Sequence, residues 1–198
     1  MRFVGTTRFA SAAIVAGSLR HIASCVRAIA DPTTPRSAAF AHANNLGSIA
    51  HILWLAGLLA LAAAWAVDGA IARIGSIIAT AALVTLVTAE LIIGFSYDIS
   101  ENLFTVSVPL SGIGLTCLGA AVLRARTGTV WTGRATLATG LYVFAVMVPA
   151  FAVFGAPNYP ALIGWGVTWL LLGSATWTNP AVNTATKAPN HHYEKETS

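Results

Sequence analysis

Five apolar stretches of roughly 20 residues dominate this chain, each long enough to cross about 30 Å of hydrocarbon as a helix. They run over Leu46–Val67, Ile74–Phe95, Leu103–Leu123, Ala135–Phe154 and Ala161–Trp177. Leu, Ala, Ile, Val and Gly fill them without a period of two, so the pattern predicts helices and not barrel strands. A sixth stretch, Phe9–Ala30, is apolar as far as Leu19 and then carries Arg20, His21 and Arg27. It reads as the first span with a polar outer half. Asp31-Pro32 ends it, because proline is excluded from helix interiors and disfavours helix in the residue before it. A cleaved signal sequence is the other reading of this segment, and Ile22-Ala23-Ser24-Cys25 has the look of a lipoprotein cleavage box. Arg20 and His21 break the apolar run where such a signal must be continuous, which favours a retained helix.

Of the 198 residues, 56% are hydrophobic and 9% charged, against about 25% charged in a soluble domain. That is too little charge to coat a soluble surface. The expected fold class is all-α: a polytopic membrane helical bundle of six transmembrane helices over residues 1–178, then a polar tail over 179–198. Six spans put both termini on one side. Arg2, Arg8, Arg73, Arg124, Arg126, Arg134, Lys187 and Lys195 fall on that side, and only Arg27 and Arg36 on the other. The bias predicts cytoplasmic termini in a multi-pass protein of the cell membrane, with a bacterial plasma membrane as the expected setting. The basic residues are spread over separate loops, so nucleic acid is not an expected partner.

Several chemistries lack their reagents. Cys25 and Cys117 are expected at different depths and unpaired, and there is no Cys-x-x-Cys. Gly112-Ile113-Gly114 sits inside a span and follows no strand, so it is not a nucleotide loop. Gly75/Ala79, Gly112/Gly114/Gly119 and Gly164/Gly166 read instead as small residues that let helices approach. His191-His192 lies in the polar tail, where adjacent histidines rarely act. No metal is expected, and no cofactor.

What remains is a set of polar side chains in apolar surroundings. An ionisable group within a span is costly and normally faces the protein interior. Counting along the helices places Glu90 about 12 Å, His51 about 10 Å, and Arg20 with His21 about 15 Å below the outer boundary. The inner half of the same spans is almost purely apolar. If the third helix stays regular to its end, Glu90, Gly94, Tyr97, Asp98 and Glu101 share one face. Asn44, Ser48 and His51 form a second stripe, beside Asn45. Trp165 and Trp169 are one turn apart, Trp54 lies one turn below His51, and Asn158 and Tyr159 roof the same side. The expectation is an outward-opening pocket with an acidic, amide-lined rim and aromatic walls of Trp54, Tyr97, Trp165 and Trp169.

A carboxylic acid in a dry site can stay protonated at neutral pH, because burial penalises its charged form. Aromatic faces stabilise developing positive charge, and exclusion of water protects a reactive cation. Glu90 is the candidate catalytic acid. Asp98 would re-supply protons or take the last one, and Arg20, His51 and Asn45 would orient the acid and set its charge. If Arg20 pairs with Glu90, the carboxylate is held ionised and the acid role passes to Asp98. In size, helix-only make-up and membrane-embedded acids such as Glu90 and Asp98, the chain resembles the small integral-membrane terpene cyclases of natural-product pathways. Fungal members usually have seven helices against the six expected here. The resemblance rests on architecture, so Glu90 and Asp98 are assigned from depth and not from a shared motif. It implies metal-independent, protonation-initiated cyclisation of a lipophilic isoprenoid or prenylated substrate; no Asp-Asp-x-x-Asp cluster is present. The competing readings are a small lipid or solute carrier, and a structural accessory subunit in which the polar layer only holds helices together.

Overall fold

A computed structural model of the chain describes residues 2–34, 36–65, 69–125, 129–155 and 157–177. The helices are α1 (Arg2–Ala30), α2 (Ala38–Trp65), α3 (Ala70–Ile92), α4 (Tyr97–Ala125), α5 (Val130–Tyr142), α6 (Val148–Phe154) and α7 (Tyr159–Trp177). A single π turn, Val143–Met147, joins α5 to α6, so the two form one interrupted rod. Five rods are long and apolar enough to cross a membrane: Gly5–Ala30 within α1, then α2, α3, α4 and Val130–Phe154. The sixth expected span falls on α7, a 19-residue helix. It is not among those five. The expected tail, 179–198, lies outside the described residues, as do Val67, Arg126 and His191-His192.

Helix starts follow local capping. Ser37 Oγ accepts a bond from Phe40 N, so α2 begins eight residues before the apolar run at Leu46. Thr129 Oγ1 accepts from Thr132 N at the start of α5. Asn158 Oδ1 accepts from Ala161 N at the start of α7, where Pro160 fits the first turn. The third expected span does not stay regular through Asp98. Helix α3 stops at Ile92, the chain turns with Phe95 N and Ser96 N bonded to Ile92 O, and α4 begins at Tyr97. Tyr97, Asp98 and Glu101 therefore belong to α4 and share no helical face with Glu90.

The rods close into a ring in which α1 packs on α2 and α7, α3 on α2 and α4, and α5 on α4 and α7. Small residues set the close approaches. A Cβ on Gly75 would sit 2.8 Å from Leu118 N, and one on Gly114 would collide with the backbone of Ala79, so α3 and α4 meet backbone to backbone. Gly166 admits Ile22 and His21 of α1 against α7. Ala10 and Ile14 are fully buried, which makes α1 an integral wall of the bundle.

One segment packs only loosely on the ring, through Ala150 and Phe151. Helix α6 buries none of its residues and has no substantial contact with another helix beyond the π turn. Pro149 accounts for the break: it has no N–H for the carbonyl four residues earlier, and the π turn lets Val148 N bond Val143 O instead. The half of the bundle carrying the α1–α2, α3–α4 and α6–α7 connections (the upper half) is thus loosened on one side. The lower half is filled by Leu58, Leu61, Trp65, Leu115, Leu118 and Val122.

Candidate functional site

The upper half encloses a cavity of about 800 Å³, within the range of small-molecule sites. Every rod contributes to its wall. Helix α1 supplies Arg20, His21 and Cys25; α2 supplies Phe40, Asn44, Gly47 and His51; α3 supplies Leu86 and Glu90. Helix α4 adds Tyr97, Phe104 and Pro109, α6 adds Val148 and Phe151, and α7 adds Tyr159, Leu162 and Trp165. The four ionisable groups expected in one layer, Arg20, His21, His51 and Glu90, do line one space.

Their pairing differs from the expectation. Glu90 does not take Arg20 as partner. Its Oε2 lies 2.8 Å from His51 Nδ1, and both residues are about 95% buried. Arg20 instead donates from Nη2 to the carbonyl of Leu46 at 3.2 Å. The reason is rotational. Residues 20 and 90 share a height, but His51, on the helix between them, is the side chain turned toward α3. The two histidines meet edge to face, with ring centroids 5.3 Å apart. His21 Nε2 bonds Leu162 O at 3.1 Å and lies 3.7 Å from Cys25 Sγ. His51 Nε2 has no hydrogen-bond partner among the described residues. Glu90 Oε1 lies over Gly47, where a Cβ would come within 3.2 Å of it. Gly47 also lines the cavity, so the missing side chain leaves that oxygen open to an occupant.

Other expected residues fall elsewhere. Asp98 is not in the dry layer: it pairs with Arg36 at 2.6 Å on the surface, its side chain 75% exposed. The turn at 93–96 carries it out of the bundle. Asn45 is exposed and points off the cavity, while its neighbour Asn44 lines it. Tyr97 is in the wall, with the Arg36 guanidinium 4.8 Å from its ring centre. Of the tryptophans only Trp165 touches the cavity. Trp54 and Trp169 stack beneath it, 4.7 Å apart and nearly parallel, with Trp54 Nε1 bonded to Ser18 Oγ. They form the floor that separates the cavity from the lower half. The aromatic wall also includes Phe40, Phe104 and Phe151, which have no distinguishing mark in an apolar sequence. Cys25 and Cys117 are free, as expected.

Comparison with models of protein families, with curated proteins and with solved structures returned no match. The chemistry of the site therefore rests on its own geometry. One carboxyl and one imidazole share a hydrogen bond, buried, at the edge of an aromatic-walled cavity. Such a pair can hold a proton and release it without exposing either group to water.

Proposed function

We propose that this protein is a membrane-embedded acid–base enzyme that isomerises a lipophilic polyene, the isoprenoid cyclisation suggested by the sequence. The observation that supports it is the Glu90–His51 pair in the wall of a largely apolar, aromatic cavity. The protonated Glu90 carboxyl gives its proton to a terminal alkene carbon. The alkene π electrons form the new C–H bond and leave a tertiary cation, which an internal alkene attacks to close a ring. Loss of a proton from carbon then forms the product alkene, and the carboxylate takes that proton back. Atoms and charge balance as an isomerisation, with no co-reactant. His51 holds the second proton position and fixes the orientation of Glu90. The faces of Phe104, Phe151 and Trp165 stabilise the cation, each by about 0.5–2 kcal/mol when desolvated.

Arg8, Arg73, Arg124 and Arg134 all belong to the lower end, which supports both termini being cytoplasmic in a bacterial plasma membrane. The site then lies in the outer half, reached beside α6 from the lipid. A carrier needs a polar route through the lower half, and the Trp54–Trp169 floor and the leucines below it weigh against one.

Glu90→Gln keeps the side chain's shape and removes its acidity. It is expected to lower conversion of a polyene substrate by about a hundredfold or more, read as product by mass spectrometry, while the melting temperature in detergent moves little. Unchanged conversion in a folded Glu90→Gln protein would refute acid catalysis at this site.

A further inference from the structure

Arg20 is partly buried in the cavity wall, and no acidic side chain lies within ion-pairing distance of it among the described residues. Its guanidinium is held at one corner, by the Leu46 carbonyl. A guanidinium carries a fork of N–H donors, so the remaining donors are left for the cavity. Arg27 also borders the space but is exposed, as are Asp31 and Glu101 at its mouth. Water screens those three, whereas a half-desolvated cation without an anionic partner is costly in apolar surroundings. Its donor fork matches the paired oxygens of a carboxylate or phosphate. Arg20 bonds α2 at Leu46 and the Glu90 carboxyl meets α2 at Gly47. An anion on Arg20 is thereby placed close to the acid.

We infer that Arg20 is the docking point for an anionic head group, a carboxylate or phosphate, carried by the lipophilic molecule whose chain lies along Phe104, Phe151 and Trp165. This rests on reading the cavity as a substrate site, and not on the chemistry assigned to Glu90. The head of an anionic phospholipid offers the same oxygens, and the nanodisc experiment below separates the two sources.

The test uses the full chain in neutral detergent, with intrinsic tryptophan fluorescence as reporter and farnesoic acid and its methyl ester as probes. The acid is expected to bind at least about tenfold more tightly than the ester, a difference of about 1.4 kcal/mol. In Arg20→Gln the ratio should fall to about two or less, and Arg20→Lys should retain part of it. Equal binding of acid and ester to the unaltered protein, or a ratio that survives Arg20→Gln, overturns the inference. If Arg20→Gln does not fold, the unaltered protein and Arg20→Lys decide. In phosphatidylcholine nanodiscs, replacing part of the lipid by phosphatidylglycerol should leave acid binding intact; Arg20-dependent competition would overturn assignment of the site to the ligand's own head. Glu90→Gln should still bind the acid at least about tenfold more tightly than the ester, whatever its effect on conversion, so failure of the acid-catalysis reading and failure of this one are told apart.

Discussion

Single side chains carry most of the chemistry, and they were legible to different degrees. Glu90, His51, Arg20 and His21 stand out in the sequence because burying them is costly, so their presence inside spans needs a reason. Which of them pair was not legible. Counting residues gives height along a helix, but pairing depends on rotation about the axis and on the neighbour each face meets. Gly47 and Phe104 give no signal at all, since a glycine or phenylalanine in an apolar run is unremarkable. Asp98 was misplaced by the turn at 93–96, and its surface pairing with Arg36 carries a prediction. Exposed ion pairs contribute less than about 1 kcal/mol. Asp98→Asn is therefore expected to leave polyene conversion within about twofold and to lower the melting temperature by only a few degrees. A loss as large as that expected for Glu90→Gln would return Asp98 to the acid role.

Among the elements, the rod formed by α5, the π turn and α6 is the one that departs from a simple span. The sequence places an apolar helix here, and Pro149 within it. It does not show that the missing N–H is accommodated by a π turn, or that α6 then packs only loosely on the ring. In the proposed reading this matters for entry, because Val148 and Phe151 border the cavity on its loosened side. Pro149→Ala restores a donor to the helix and permits a regular rod that closes toward α4. The expected result is a higher melting temperature together with slower entry of the farnesoic acid methyl ester, measured by stopped-flow fluorescence in detergent. Unchanged entry kinetics would show that α6 does not border the route in. Elsewhere the element ends were set by capping side chains, Ser37, Thr129 and Asn158, which lie outside the apolar runs and are missed when hydropathy alone draws the limits.

For the molecule as a whole, the ring of rods puts the cavity at one end and a filled core at the other. In the proposed orientation Arg8, Arg73, Arg124 and Arg134 lie on the cytoplasmic side and the cavity on the outer side. With Cys25 and Cys117 replaced by serine, Thr34→Cys in the upper loop is expected to react with a membrane-impermeant maleimide added to intact cells. Ala70→Cys, at the start of α3, should react only after the cells are opened. The reverse pattern would place the cavity in the cytoplasmic half and reverse the proposed orientation. The glycine contacts that close the ring were readable in advance as a class: Gly75, Gly114 and Gly166 do admit neighbouring backbones and side chains. Which helix each admits was not, because a small residue states that something comes near without specifying what.

Hydropathy determined the helical character of this chain, its apolar rods and the set of polar groups that must face inward, since the transfer cost of each side chain is a local property. The partners of those groups depended on tertiary structure. His51 in place of Arg20 beside Glu90, Asp98 outside the bundle, a floor of stacked Trp54 and Trp169, and an Arg20 guanidinium bonded to the Leu46 carbonyl and not to an acid all follow from helix rotation, from one turn at 93–96 and from one proline. Those features act between elements, and a pattern read along a single strand of sequence contains the heights of the groups but not the angles at which the helices present them.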